Sequence, residues 1–121
     1  MTATDASFLR IESDHEPQHV GSLSILEGAA LRDATGRIDL ERLLGHVERR
    51  LHRVPRMRQR VMEVPLGQGR PVWVDDDAFD LDYHVRVTAL ARPGDERQLA
   101  TLMSRLQSLP LDRRRPLWEM W

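Results

Sequence analysis

Leu81-Asp82-Tyr83-His84-Val85-Arg86-Val87-Thr88-Ala89-Leu90 is the stretch on which the reading of the fold turns. Leu81, Tyr83, Val85, Val87 and Ala89 fall on one side of an extended chain, while Asp82, His84, Arg86 and Thr88 fall on the other. Alternation with period two predicts a half-buried strand and puts His84 on its polar face, where a solvated or hydrogen-bonded imidazole is the default. Downstream, Pro93-Gly94 turns the chain, and Asp95 with Gln98 has the spacing of a capping box. An amphipathic helix is expected next, with Leu99, Leu102, Met103 and Leu106 as its buried stripe and Pro110 as its stop. The last segment, Pro116-Leu117-Trp118-Glu119-Met120-Trp121, reads as a strand just beginning. Two tryptophans within four residues, with no turn signal after them, read as a chain interrupted in mid-strand.

Upstream, the clearest helix is expected over about Asp39 to Arg53. Leu40, Leu43, Leu44, Val47 and Leu51 follow the spacing of one buried face, Asp39 suits the N-cap, and Pro55 closes the helix. Met57 to Val64 and Gly69 to Asp75 are expected to pair as strands around Pro65-Leu66-Gly67-Gln68-Gly69. His19 to Leu26 reads as a further strand with Leu23 and Ile25 on one face, and Gly28 to Gly36 as loop. A short N-terminal helix capped by Asp5 would cluster Phe8, Leu9 and Ile11 before Pro17 ends it. The elements together predict an α/β fold of α+β sandwich type, a mixed sheet with two main amphipathic helices.

The 121 residues amount to one domain. An apolar fraction of 40% and a charged fraction of 31% argue against disorder, and no apolar run approaches the roughly 18 residues of a spanning helix. The net charge of -1 recruits neither nucleic acid nor anionic membrane at long range. No cysteine is present, which removes disulfides, thiolate nucleophiles and thiolate metal sites. All 18 basic residues are Arg, which removes Schiff-base chemistry and a P-loop lysine; codon bias of a GC-rich genome accounts for this.

Candidate chemical motifs are few. His15 and His19 have helical metal-ligand spacing, but Pro17 between them breaks the helix. His46 and His52 face different sides of their helix, and no Ser sits in a Gly-x-Ser-x-Gly elbow. Asp76, Asp77 and Asp80 match an Asp-Asp-x-x-Asp magnesium-diphosphate spacing. They lead into a strand rather than lying on one helix face, so a solvated acidic turn is the better reading. As a calcium loop from Asp75 the run has Asp80 where Gly is needed and Arg86 where Glu is needed. Six arginines and no acid lie between Arg49 and Arg60. They suit either a helix C-terminus or phosphate contact, and nucleic acid is disfavoured because no aromatic residues interleave with them.

Several segments, taken in order, resemble one family. Asp5-Ala6-Ser7-Phe8-Leu9, His19-Val20-Gly21-Ser22-Leu23, Val54-Pro55-Arg56-Met57-Arg58-Gln59-Arg60 and Pro71-Val72-Trp73-Val74-Asp75-Asp76 are similar to the N-terminal region of the bacterial wax ester synthase/acyl-CoA:diacylglycerol acyltransferases. So are Phe79-Asp80-Leu81-Asp82-Tyr83-His84-Val85-Arg86, Leu109-Pro110-Leu111-Asp112-Arg113 and Arg115-Pro116-Leu117-Trp118-Glu119, the last carrying the family's Pro-Leu-Trp motif. Thr4 and Gln18 depart from the family's more apolar choices.

The resemblance implies a partial chloramphenicol acetyltransferase-like half-domain, with residues 1–121 as a single incomplete N-terminal acyltransferase half. It implies esterification of diacylglycerol or a long-chain fatty alcohol with acyl-CoA, the acyl-CoA serving as co-substrate with no further cofactor. The family's general base lies in a His-His-x-x-x-Asp-Gly motif, and none of these 121 residues form one, so the isolated chain is expected to be inactive. Only Pro116, Leu117 and Trp118 carry over, as substrate-tunnel lining; strand packing around a buried indole is the competing reading of the same triplet. The resemblance implies a cytoplasmic protein, peripheral at membrane or lipid inclusions. The alternative is a non-catalytic binding module that complements a separate C-terminal half through an open strand edge near Leu117 to Trp121.

Overall fold

A computed structural model describes residues 1–13 and 15–121. Helix α1 spans Ala3–Ile11, α2 Leu40–Leu51, α3 the single turn Leu81–His84, and α4 Glu96–Gln107. Strands β1 (Gln59–Met62) and β2 (Val72–Asp75) pair antiparallel, with Val61 opposite Trp73. Short 3₁₀ turns occupy Gly28–Leu31, Pro55–Arg58 and Pro65–Gly67. The architecture is mixed α and β around a small two-stranded sheet.

Both long helices form where the apolar spacing and caps place them. The Asp39 carboxylate accepts from the Arg42 amide at 3.0 Å at the start of α2. Asp95 and Gln98 close a reciprocal capping box on α4, at 2.8 and 3.1 Å. The β1–β2 pair also forms as the sequence predicts, though each strand is four residues long. Pro55 starts a 3₁₀ turn that takes up Met57 and Arg58, delaying the first strand.

Five expectations are corrected. The N-cap of α1 is Thr2, not Asp5: the Thr2 hydroxyl accepts from the Asp5 amide while the Asp5 carboxylate accepts from the Thr2 amide. Asp5 is therefore the third helical residue of a capping box.

Residues 81–90 are not a strand. Asp80 accepts from the Asp82 amide at 3.1 Å and caps one helical turn, closed by Val85 N–H donating to the Leu81 carbonyl at 2.9 Å. An Asx cap offers the backbone local partners, which outcompetes a ladder that has no neighbouring strand to receive it. Among the described residues only Val85 of this stretch retains a β-bridge, parallel to Met120, and residues 87–90 make no backbone hydrogen bond.

His84 consequently does not face solvent; it is fully buried. His19 to Leu26 is the fourth correction: residues 19–26 make no backbone hydrogen bond to any described residue and form no strand. Gly28 to Gly36 also contains a 3₁₀ turn rather than loop throughout.

The core is thin. Ala6, Leu51, Val61 and Val85 are its buried apolar residues, joined by His84, Pro71 and Pro116. Leu43, Leu44 and Val47 on α2, and Leu99, Leu102, Met103 and Leu106 on α4, are only half-covered. Val20 is 96% exposed and Leu66 91%. The accessible surface is 9499 Å², against roughly 6,700 Å² for a compact monomer of this mass. About 2,800 Å² in excess is too much for side-chain roughness; Val20, Leu23, Ile25 and Leu26 are among the large apolar residues left exposed.

Candidate functional site: the Pro-Leu-Trp segment and its histidine

The C-terminal segment is anchored at both ends. Pro116 bridges antiparallel to Arg60 beside β1. Further along, Met120 donates its amide to the His84 carbonyl and accepts from the Arg86 amide, both at 2.8 Å. Between these ends the Trp118 amide turns back onto the Pro116 carbonyl at 2.9 Å. The strand expected at Pro116–Trp121 is thus two bridges with a tight turn between them.

Trp118 is held by three contacts. Its indole N–H donates to the Met57 carbonyl at 2.8 Å, tying it to the turn that precedes β1. Its ring stacks on the His84 imidazole, centroids 4.5 Å apart and planes 16° from parallel. Its own carbonyl lies 2.8 Å from His84 Nδ1. A carbonyl only accepts, so Nδ1 carries the proton and Nε2 holds the lone pair.

Phe79 stacks on the same imidazole at 5.1 Å and 14°, and Tyr83 meets it edge-on at 5.1 Å. Burial pushes the His84 pKa below its ordinary 6.5, and Arg115 adds to this. The Trp118 carbonyl and the Glu119 and Asp76 carboxylates pull the other way and lose. The imidazole is neutral, and its Nε2 has no hydrogen-bond partner among the described residues.

Arginines frame this aromatic cluster. Arg115 and Arg86 sit over Tyr83 at 4.1 and 4.3 Å, Arg86 also reaches Trp121 at 5.0 Å, and Arg58 lies 5.2 Å from the Phe79 ring. Arg56 covers Trp73 at 4.4 Å. The arginine cluster of 49–60 does therefore meet aromatics, through the fold rather than by interleaving in sequence. A second anchor is Arg113, which grips Glu12 Oε2 at 2.8 and 3.1 Å and the Leu9 carbonyl at 2.6 Å, joining the end of α1 to the approach to Pro116. An open cleft of about 440 Å³ lies beside Tyr83, lined by Asp76, Asp112, Arg114 and Arg115.

Of the three residues singled out by motif, Pro116 is buried, Trp118 is half-buried with its polar atoms engaged, and Leu117 is half-buried with no side-chain hydrogen bond to make. Asp76 and Asp80 of the acidic run are spent on local turns, accepting from Ala78 N and Asp82 N, while Asp75 accepts from the Gln59 side chain across the β1–β2 pair. Among the described residues no group of three or more His, Asp or Glu converges as a metal site. Sequence reasoning singles out His84 as the one histidine that could line a cleft, but misses its burial and its bond to Trp118. The available signal was Asp80 two before Asp82, which caps a turn, followed by aromatic neighbours Phe79 and Tyr83 around the imidazole.

A family model described as the wax ester synthase/diacylglycerol acyltransferase catalytic domain matches residues 1–121. A probable diacylglycerol O-acyltransferase (tgs3) of Mycobacterium tuberculosis is 50% identical across all of this chain, which spans 43% of that protein's length. A putative diacylglycerol O-acyltransferase of Mycobacterium bovis is 42% identical, and the chain spans 25% of it. The solved wax ester synthase/diacylglycerol acyltransferase of Marinobacter aquaeolei VT8 superposes with a TM-score of 0.66 at 27% identity, over 98% of this chain and 28% of that one.

Proposed function

Because the chain belongs to the wax ester synthase/diacylglycerol acyltransferase catalytic-domain family, we propose that it forms the N-terminal part of an O-acyltransferase that esterifies diacylglycerol, or a long-chain alcohol, with acyl-CoA. The observation that carries this reading is the family match over residues 1–121, with the Pro-Leu-Trp segment docked through Trp118 against residues 57 and 84. The fold is read as part of a chloramphenicol acetyltransferase-like half-domain, residues 1–121 forming one incomplete unit. The half-covered helical stripes and the unpaired 19–26 segment support that assignment, since the relatives are more than twice as long.

Within the motif, Pro116 is used in packing and Trp118 in three hydrogen bonds, so Leu117 is the member left to touch an acyl chain. The chemistry needs a general base to take the hydroxyl proton as the alcohol attacks the thioester, since a neutral alcohol is a weak nucleophile. No His-His-x-x-x-Asp-Gly run exists in these residues, and His84 is no substitute, because its free Nε2 lone pair is fully buried, out of reach of a substrate hydroxyl. The base is therefore assigned to polypeptide that the relatives possess and that these residues do not represent. No helix among the described residues is long and apolar enough to cross a membrane. The exposed apolar face suits contact with the remainder of such an enzyme and with a lipid surface.

The test is a chimera in which these 121 residues replace the matching segment of the Mycobacterium tuberculosis relative. Ester formation from acyl-CoA and diacylglycerol or hexadecanol is expected from the chimera and not from the 121-residue chain. Ester formation by the 121-residue chain alone would overturn the assignment of the base. A folded chimera that makes no ester, beside an active parent, would overturn the functional reading.

A further inference from the structure

His84 is fully buried, donates from Nδ1 to the Trp118 carbonyl at 2.8 Å, and stacks on the Trp118 indole at 4.5 Å. Its own backbone carbonyl accepts from Met120 N at 2.8 Å, so one residue holds the segment at two points, two residues apart. We propose that His84 is the positioning residue of the Pro-Leu-Trp segment: as a neutral Nδ1–H imidazole it fixes the Trp118 carbonyl and ring, and so sets where Leu117 points. This deepens the acyltransferase reading and rests on it for its catalytic consequence, but the lock itself is a property of these residues alone.

Three features make the imidazole more than core filling. An apolar ring would pack between Phe79 and Trp118 as well, but would leave the Trp118 carbonyl without the donor that now reaches it. Trp118 has its second anchor on Met57, so losing the His84 bond frees the carbonyl end while the indole stays tethered; the segment would pivot rather than detach. The Nε2 lone pair is buried and unpartnered among the described residues, which leaves the ring only one way to be neutral and bonded, the Nδ1–H tautomer. Protonation at Nε2 would leave the Nδ1–H donor in place but bury a cation beside the Arg115 guanidinium, offset only in part by the Glu119 and Asp76 carboxylates, so acid loosens the packing of the ring against Trp118.

The first arm of the test uses the 121-residue chain with Trp73→Phe and Trp121→Phe, which leaves Trp118 as the sole tryptophan. Its fluorescence is followed against pH, and the imidazole tautomer is read from two-bond ¹H–¹⁵N correlations at neutral pH. The expected results are an Nδ1–H tautomer and a fluorescence transition with its midpoint below 6.5, the transition being lost in His84→Asn. An Nε2–H tautomer, or a transition that survives His84→Asn, overturns the lock.

The second arm measures acyl transfer in the chimera. His84→Phe keeps the ring but not the donor, and is expected to lower kcat tenfold or more with KM for acyl-CoA within about twofold. His84→Asn places an amide donor near the Nδ1 position and is expected to recover a large part of that loss. Equal kcat for His84→Phe and the parent chimera overturns the positioning role, whereas a parent chimera without activity overturns the acyltransferase reading and leaves the first arm to decide the lock.

Discussion

Replacing Trp118 by Phe isolates the indole N–H that joins the C-terminal segment to the turn before β1. The substitution keeps an aromatic ring against His84 and leaves the backbone bond from His84 Nδ1 to residue 118 in place. What it removes is the 2.8 Å donor to the Met57 carbonyl, and Met57 is half-buried, so water reaches that oxygen only partly. A neutral hydrogen bond contributes about 1 kcal/mol net, and an acceptor left unpaired costs about 1–3 kcal/mol when shielded. Taking the middle of that range because Met57 is only half-buried, the expected loss is about 2 kcal/mol. At roughly 2.1 cal/mol/K per residue, unfolding 121 residues carries an entropy of about 0.25 kcal/mol/K, so the melting temperature should fall by about 8 °C. Equilibrium urea unfolding followed by far-ultraviolet circular dichroism measures the first quantity and a thermal melt the second. A loss below about 0.5 kcal/mol would show that the Met57 contact does not hold the segment, and the account of the site would lose one of its two anchors.

Other substitutions probe the remaining supports. Arg113→Met should cost about 1 kcal/mol in urea unfolding, a figure kept small because the Arg113 side chain is 39% exposed and its pair with Glu12 is screened. Burial alone would raise the Glu12 pKa, but hydrogen bonds from Arg113 and the Gln18 amide outweigh it and hold the pKa below 4.5. That contribution is therefore present above pH 4.5 and lost as acid titrates Glu12 below it, a dependence that Arg113→Met should flatten. His84 acts in the same sense at higher pH: the unfolded chain takes up its proton near pH 6.5 while the folded chain resists. Stability should thus fall with decreasing pH below 6.5, by no more than about 1.4 kcal/mol per pH unit, and His84→Phe should remove that slope. Leu66 sits at φ 60° in the β1–β2 connection with its side chain in solvent; Leu66→Asn should add about 0.5–1 kcal/mol, and a loss of stability would reveal a contact at that side chain. Asp95→Ala should cost about 1 kcal/mol by opening the α4 capping box, read as lost helical signal and a lower urea midpoint.

Helices α2 and α4 and the β1–β2 pair were legible because each is specified locally, by apolar spacing together with caps at Asp39 and Asp95 and turn residues at Pro65 and Gly67. The alternation of residues 81–90 misled because a period of two states only which sides differ, not whether a neighbouring strand exists. Asp80 supplied a local cap instead, and that turn carried His84 from the expected polar face into the interior. His19 to Leu26 has strand-like sequence and no partner among the described residues, so its pattern and its structure diverge for the same reason. The motif residues Pro116 to Trp118 were found through resemblance. Their anchors, Met57 and His84, lie 61 and 34 residues away in sequence, and no spacing rule connects a carbonyl donor pair at such distances.

The central claim is that Pro116–Trp118 is held by Met57 and His84 so that Leu117 meets the acyl chain. Photolysis of the chimera with an acyl-CoA carrying a diazirine in its fatty chain, followed by peptide mapping, tests it most directly. Label on Leu117, diminished in His84→Phe, is the predicted result. Label confined to residues outside the segment, and indifferent to His84→Phe, would contradict it.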